Sequence, residues 1–275
     1  LILFCAVVCA VWAVPARKGG MVKTQPDGSE VIVYQHGDEH FHWMTNDKGE
    51  WLKMDADGFY RVTEALSAEE IEAKRMAAPR RVEYKETPLN IAPRGLVILV
   101  NFTDVVFKTD KAEMDSMLTG KNYTRDYSYF YRGKKQSITS KGSAWQYFYD
   151  SSNGHYDPQF DVIGPVTVSK NMAYYGKNVN DFDAAPWTMV KEACQLVDDS
   201  VDFKQYDNNN DGYVDFVYVI YAGYGEADGG DKNTIWPHSY WLLEAGITCK
   251  LDGKYVDLYA CGNEMDSRTN YHTGI

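Results

Sequence analysis

Positive charge is in short supply. The chain sets 28 Lys and Arg against 39 Asp and Glu, for a formal net charge of -11 and a pI near 5.0. A phosphate backbone is held by a basic surface, so nucleic acid is not the expected partner. Long apolar runs are also missing. The most apolar stretch, Leu1 to Ala13, falls short of the roughly 20 residues that a bilayer span needs. There is no Gly-x-Ser-x-Gly elbow and no glycine-rich phosphate loop followed by Lys-Ser/Thr, which removes the commonest hydrolase and nucleotide-binding signatures. Cysteine is sparse at 5 residues, and no spacing among them matches a Cys-based zinc site. No internal repeat is present.

What remains is enough to fold. At 275 residues and 44% hydrophobic content, the chain accommodates one large domain or one and a half ordinary ones. The 21 Tyr and 7 Trp suit a β-containing extracellular protein. Leu1 to Ala13 reads as the apolar core of a secretory signal peptide, with Val11 and Ala13 preparing cleavage after Ala13, or alternatively after Ala16. Without a Met or basic head, this end reads as clipped. Cys5 and Cys9 leave with the signal. Cys249 and Cys261 flank a hairpin (Leu251 to Tyr255) and either pair in an oxidising compartment or stay as free buried thiols.

Residues 14–93 read as a β-rich pro-segment or accessory domain plus linker. Short strands centred on Val31-Ile32-Val33, Phe41-His42-Trp43, Trp51-Leu52-Lys53 and Tyr60-Arg61 are separated by Gly/Asp turns. A helix follows from Ser67 to Met76, with Ser67 as N-cap and Glu69 or Glu70 in its first turn. From Ala77 to Pro93 there are three prolines, a basic pair (Arg80-Arg81) and little apolar periodicity, which places the boundary there. Residues 94–275 then open with a buried central strand, Gly95 to Phe102. Helices are expected over Thr109 to Leu118, after a Ser143 cap, and from Pro186 with Trp187, Val190, Cys194 and Val197 on the core face. Strands and helices alternate without repeating, so the fold class is α+β, or mixed α/β.

The stretch richest in chemistry is Tyr206 to Asp215. Asp207, Asn209 and Asp211 place oxygen side chains at loop positions 1, 3 and 5; Gly212 makes the turn, Tyr213 offers a main-chain carbonyl and Asp215 a carboxylate at position 9. A hard cation such as Ca²⁺ takes six to eight oxygens from such a curl. Position 12 is Tyr218 where an EF-hand has Glu, so the loop runs into a strand and its last ligand comes from elsewhere or from water. The plain alternative is an Asp/Asn turn before a strand.

Two other patterns carry less. His36-Gly37-Asp38-Glu39-His40 matches His-x-x-Glu-His, but that chemistry needs both imidazoles on one helix face. Here the flanking residues alternate and Gly37-Asp38 is a turn dipeptide, so the match reads as a hairpin. His238, after Trp236-Pro237, reads first as a structural hydrogen-bonding histidine.

Four segments together resemble the immune inhibitor A-type family of secreted zinc metallopeptidases. They are Arg94 to Asp104, Ser143 to Pro165, Tyr206 to Glu226 with its Gly-Tyr-Gly-Glu end, and Ile235-Trp236-Pro237-His238. The resemblance covers residues 94–275 and implies a zincin-like domain acting on protein or peptide substrates. In such enzymes two His and a third ligand hold Zn²⁺ with water in the open position, and a Glu takes that water's proton. The His-Glu-x-x-His helix is expected soon after a segment like Cys261 to Met265, beyond Ile275, so the 275 residues alone are expected to be inactive. An upper-rim strand would bind extended substrate by edge addition, and either Tyr218 to Gly225 or Tyr255 to Cys261 could supply it. The rival expectation is a non-catalytic, calcium-stiffened surface or adhesion module.

Overall fold

Burial in β6 (Arg94–Asn101) shows what organises the larger part of the chain: all five residues from Leu96 to Val100 are buried. A strand alternates its side chains between two faces. Leu96, Ile98 and Val100 therefore join one apolar cluster while Val97 and Leu99 join another. Only a central strand covered on both faces accounts for that pattern.

The computed structural model describes residues 16, 19–37, 41–55, 57–77, 92–131, 134–179, 182–266 and 271–272. The expected signal peptide, the Arg80-Arg81 pair, residues 78–91 of the expected Ala77–Pro93 linker and Asp38-Glu39-His40 lie outside the described residues. The chain divides into two units, Leu1–Ala78 and Pro79–Ile275.

The first unit is an antiparallel meander of β1 (Met21–Thr24), β2 (Glu30–Gly37), β3 (His42–Thr45), β4 (Trp51–Met54) and β5 (Tyr60–Val62), in sequential order. Its helix α1 (Ala68–Ala77) begins with a reciprocal cap: Glu70 N–H donates to Ser67 Oγ at 3.2 Å, and Ser67 N–H donates to Glu70 Oε2 at 2.8 Å. His36 lies on β2, bonded through Nε2 to Thr45 Oγ1 at 2.8 Å and stacked on Trp43. A strand histidine so placed is a packing residue.

In the second unit, α2 (Lys111–Thr119) follows β6 and is capped by the Asp110 carboxylate, which accepts from Ala112 N–H. The antiparallel pair β7 (Thr124–Tyr131) and β8 (Lys134–Lys141) comes next, then α3 (Ala144–Ser151), β9 (Gln159–Thr167) and α4 (Met172–Gly176). A small pair, β10 (Asn178–Val179) and β11 (Phe182–Asp183), leads to α5 (Pro186–Val197). β12 (Tyr213–Val214), β13 (Val217–Tyr224), β14 (His238–Trp241), β15 (Lys250–Leu251), β16 (Lys254–Val256), β17 (Leu258–Asp266) and β18 (Tyr271–His272) complete the order.

The main sheet runs β14-β17-β13-β6-β9. β9, β6, β13 and β17 are mutually parallel, and β14 is antiparallel to β17. Met189, Val190, Ala193, Cys194 and Val197 of α5 share the cluster of Leu96, Ile98 and Val100, while Met114, Met117 and Leu118 of α2 share that of Val97 and Leu99. Each such buried Leu, Ile or Val contributes about 1.5–3 kcal/mol.

β9 runs on through Gly164-Pro165 without a break. Gly164 has φ +100, and a Cβ there would lie 2.6 Å from the Leu99 carbonyl oxygen, so only glycine fits this close pairing with β6. Several elements were not expected from the sequence, among them β1, the β7–β8 pair, α4 and the edge strand β14. Both strands proposed for the upper rim are interior, since β13 lies between β17 and β6 and β17 between β14 and β13. The edges are β14 and β9. Finally, Cys194, Cys249 and Cys261 are buried and none is in a disulfide, which decides against the Cys249–Cys261 pair.

Candidate functional site

The acidic loop forms where a 3-10 turn (Phe203–Tyr206) hands the chain to β12. Gly212, at φ +94, provides the left-handed turn at loop position 6. The loop's oxygens face its own backbone. Asp207 Oδ1 accepts from Asp211 N–H and Oδ2 from Gly212 N–H, both at 3.0 Å; Asn209 Oδ1 accepts from Asp211 N–H, and Asp211 Oδ1 from Tyr213 N–H, both at 2.9 Å. The structure thus gathers Asp207, Asn209, Asp211 and the Tyr213 backbone. The Tyr213 side chain turns away to stack on Tyr255 at 5.4 Å.

Two features of this loop escaped sequence reasoning. Lys254, at the start of β16, places its ammonium 2.6 Å from Asp207 Oδ2. Burial pushes the Asp207 carboxyl up, but Lys254 and the two N–H donors outweigh it and leave it below the ordinary carboxylate value. Asp215 instead turns to Asn208, whose N–H and Nδ2 both donate to Asp215 Oδ2, at 2.9 and 2.7 Å. Burial raises the Asp215 carboxyl, and Asp211 and Asp207 add to this against the lowering by Asn208. A parallel β12–β16 pair brings Lys254 to the loop, a long-range contact with no local signature.

A second polar group lies at the C-terminal ends of the parallel strands. Glu264 on β17 is 1% exposed. Its Oε1 accepts from Lys108 N–H at 2.7 Å and Thr109 N–H at 2.5 Å, and its Oε2 from Gly223 N–H at 3.1 Å. Asp183 and Glu226 approach each other nearby. Asp183 Oδ2 accepts from Trp236 N–H at 2.9 Å, and Asn178 Nδ2 donates to Glu226 Oε1 at 3.0 Å. Asp183 Oδ1 is shut off from solvent without a hydrogen-bond partner among the described residues. Burial, then the charge of Glu226, raises the Asp183 carboxyl well above its ordinary value.

That geometry sets a pH dependence. A carboxyl raised in the folded state is protonated there while the unfolded chain has lost its proton. Its penalty therefore grows as pH rises through the ordinary carboxylate range towards the raised value, and is complete above it. Asp183→Asn keeps an acceptor for Trp236 N–H and removes the charge. It is expected to stabilise the fold by ~2 kcal/mol at about pH 8 and by almost nothing at about pH 4. Melting curves at the two pH values check this; equal gains at both would contradict it.

His238 does what its aromatic setting suggested. Nδ1 donates to the Trp236 carbonyl at 2.7 Å, so Nε2 is left to accept from Tyr259 O–H at 2.8 Å. Cys261 Sγ lies 3.5 Å from the same Nδ1, whose proton is already donated, so His238 Nδ1 does not serve as a base for the thiol. Burial pushes the Cys194 and Cys249 thiols up, the latter to about 11, which keeps both protonated and unreactive.

Comparison with known proteins bears on the same residues. The family model for the immune inhibitor A peptidase M6 catalytic domain matches residues 90–262. Immune inhibitor A of Bacillus thuringiensis subsp. alesti is 27% identical over 171 aligned positions, covering 53% of this chain and 25% of that protein. The pre-pro-metalloprotease PrtV of Vibrio cholerae serotype O1 is 29% identical over 142 positions, covering 42% of this chain and 15% of that protein. The chain thus spans a quarter or less of these curated relatives. The match takes in well over half of the sequence, from the strand before α2 to β17, and on it the chain belongs to the immune inhibitor A peptidase family.

Proposed function

We propose that this chain is part of an exported metal-dependent endopeptidase that acts on protein substrates, with zinc as its catalytic metal and calcium in the 207–215 loop. The match of residues 90–262 to a peptidase catalytic domain carries the reading. Relatives named as an immune inhibitor A and a pre-pro-metalloprotease support it, and the comparisons do not favour a non-catalytic module. Within a zincin-like reading, the mixed sheet supports a revised substrate rim. β14 is the antiparallel edge strand beside β17, and an edge is where an extended peptide adds by main-chain hydrogen bonds.

The described residues do not fit a catalytic zinc. Among them no group of three or more His, Cys, Asp or Glu side chains is placed to hold a metal, and both ring nitrogens of His238 are engaged. The zinc ligands are therefore proposed to lie elsewhere in the gene product. Expressing the complete reading frame tests this. It is expected to contain a His-Glu-x-x-His helix, bind about one zinc and cleave casein-like substrates, losing activity on replacement of that Glu. A reading frame without the paired histidines would hand the case to a binding module.

The 207–215 loop offers Ca²⁺ oxygen donors alone, although its carboxylates are not placed as a metal-holding group of three either. Asp207, Asn209, Asp211 and the Tyr213 carbonyl would hold the ion, while Asp215, expected at loop position 9, is turned to Asn208 and stands outside that set. Export is read from the Leu1–Ala13 leader; among the described residues no helix is long and apolar enough to cross a membrane. The unit Leu1–Ala78 is read as a pro-segment or accessory domain, removed near Arg80-Arg81, in keeping with a relative named pre-pro-metalloprotease. Limited trypsin digestion is expected to separate the two units intact. Cuts scattered through residues 94–266 would place the boundary elsewhere.

A further inference from the structure

The N-terminal ends of the parallel strands, away from Glu264 and the Asp183–Glu226 pair, enclose a cavity of about 450 Å³. Its walls are mainly apolar and carry five aromatic rings: Phe148 of α3, Tyr156, Phe160 of β9, Phe216 and Tyr218. The rings are ordered against one another. Phe148 meets Tyr156 edge-on at 5.8 Å and Phe160 at 6.1 Å, while Phe216 and Tyr218 lie nearly parallel at 6.4 Å. Phe148 and Phe216 are also exposed, at 41% and 38%, so the cavity opens to solvent. Exposed phenylalanines cost hydration, and a concave cluster of them is the usual build of a ligand site.

One carboxylate lines this apolar space. Asp215 gives Oδ2 to the two Asn208 donors, and among the described residues no donor reaches its Oδ1. No ammonium or guanidinium pairs with it among the described residues. Arg94, the basic residue of the lining, is held on Asp161 at 2.7 Å, and Lys254 on Asp207 at 2.6 Å. An anion is repelled here, and a neutral apolar ligand leaves the carboxylate desolvated without compensation. A cation on an apolar body meets both demands: its charge answers the carboxylate, and the ring faces attract it and pack its body.

We propose that this cavity, walled by Phe148, Tyr156, Phe160, Phe216 and Tyr218 with Asp215 at its edge, binds a small organic ammonium ion. Its test needs no catalytic activity.

Benzylammonium, benzyl alcohol and benzoate, which share a ring and differ in charge, are titrated into the purified protein at saturating calcium and followed by ligand-detected NMR. Benzylammonium is expected to bind about tenfold more tightly than benzyl alcohol, and benzoate not to bind. Asp215→Asn is expected to bring amine and alcohol to parity. Phe216→Ala leaves every loop carboxylate in place and is expected to weaken the amine about fivefold. The proposal is overturned if the alcohol equals the amine on the parent, or if a folded Asp215→Asn keeps the preference. Should that variant not fold, unchanged amine affinity in Phe216→Ala overturns it. Amine binding seen only in EDTA and lost at saturating calcium would locate it in the acidic loop and also overturn the proposal.

Discussion

Replacing Glu264 by Gln is expected to lower the melting temperature of the second unit by about 6–12 °C, although the two side chains have nearly the same shape. Both Glu264 oxygens face donors: Lys108 and Thr109 N–H at Oε1, Gly223 N–H at Oε2. An amide has one oxygen. Whichever way it turns, an NH₂ group confronts at least one main-chain N–H at hydrogen-bond distance, and that N–H is orphaned in a site 1% exposed. Losing a charge-assisted bond and stranding a buried donor costs about 3 kcal/mol together. The effect should reach the segment before α2, because Lys108 and Thr109 precede its capping Asp110. Hydrogen exchange at these amides should accelerate in the variant. A melting point within about 2 °C of the parent would show that the three bonds are not what holds this junction.

The second large effect concerns the acidic loop. If Ca²⁺ sits among Asp207, Asn209, Asp211 and the Tyr213 carbonyl, calcium at about a hundred times its dissociation constant adds about 2.7 kcal/mol, and the melting temperature rises by roughly 5–10 °C. Asp211→Ala is expected to abolish that rise, and EDTA to reproduce the loss in the parent. The same melting temperature with EDTA and with calcium would end the calcium reading.

Lys254 sharpens the experiment. Its ammonium neutralises Asp207, whose side chain is fully buried, so it competes with an incoming cation. Lys254→Met is therefore expected to lower stability without calcium and to enlarge the calcium-dependent rise. The pH sign follows from Asp207 being depressed. The stability it contributes is present above the ordinary carboxylate range and is lost as pH falls through its lowered value. Acid should thus weaken both the Lys254 pair and calcium binding. The readout is folding rather than turnover, since the loop braces β12 and β13.

Features written within a few residues of each other were legible in the sequence. The Ser67/Glu70 cap, the Ser143 cap, Pro186 at the head of α5, the glycine turn at 212 and the two-faced burial of Gly95 to Phe102 depend on backbone bonds and periodicities of short span, so residue identity decides them. The resemblance rested on the same kind of run, and the family match bears it out. The oxygens at 207, 209 and 211 were read together and lie together, for the same reason.

Whatever depends on which strands become neighbours was decided only by the tertiary structure. Tyr218 to Gly225 looks like a rim strand in isolation; pairing with both β17 and β6 makes it interior and leaves β14 at the edge. Lys254 reaches Asp207 across 47 positions and Glu264 reaches Thr109 across 155. The Cys249–Cys261 pair, plausible from its hairpin, does not form: Cys249 lies by Cys194, and Cys261 on β17 lies against His238. Asp215 shows the limit most plainly. Its place in the loop spacing was visible, but its turn towards Asn208 and an aromatic cavity was not, because the rings around it come from α3, β9 and β13. Local sequence determines the conformations a segment prefers, whereas the surroundings of a charge are set by elements that meet only when the sheet forms.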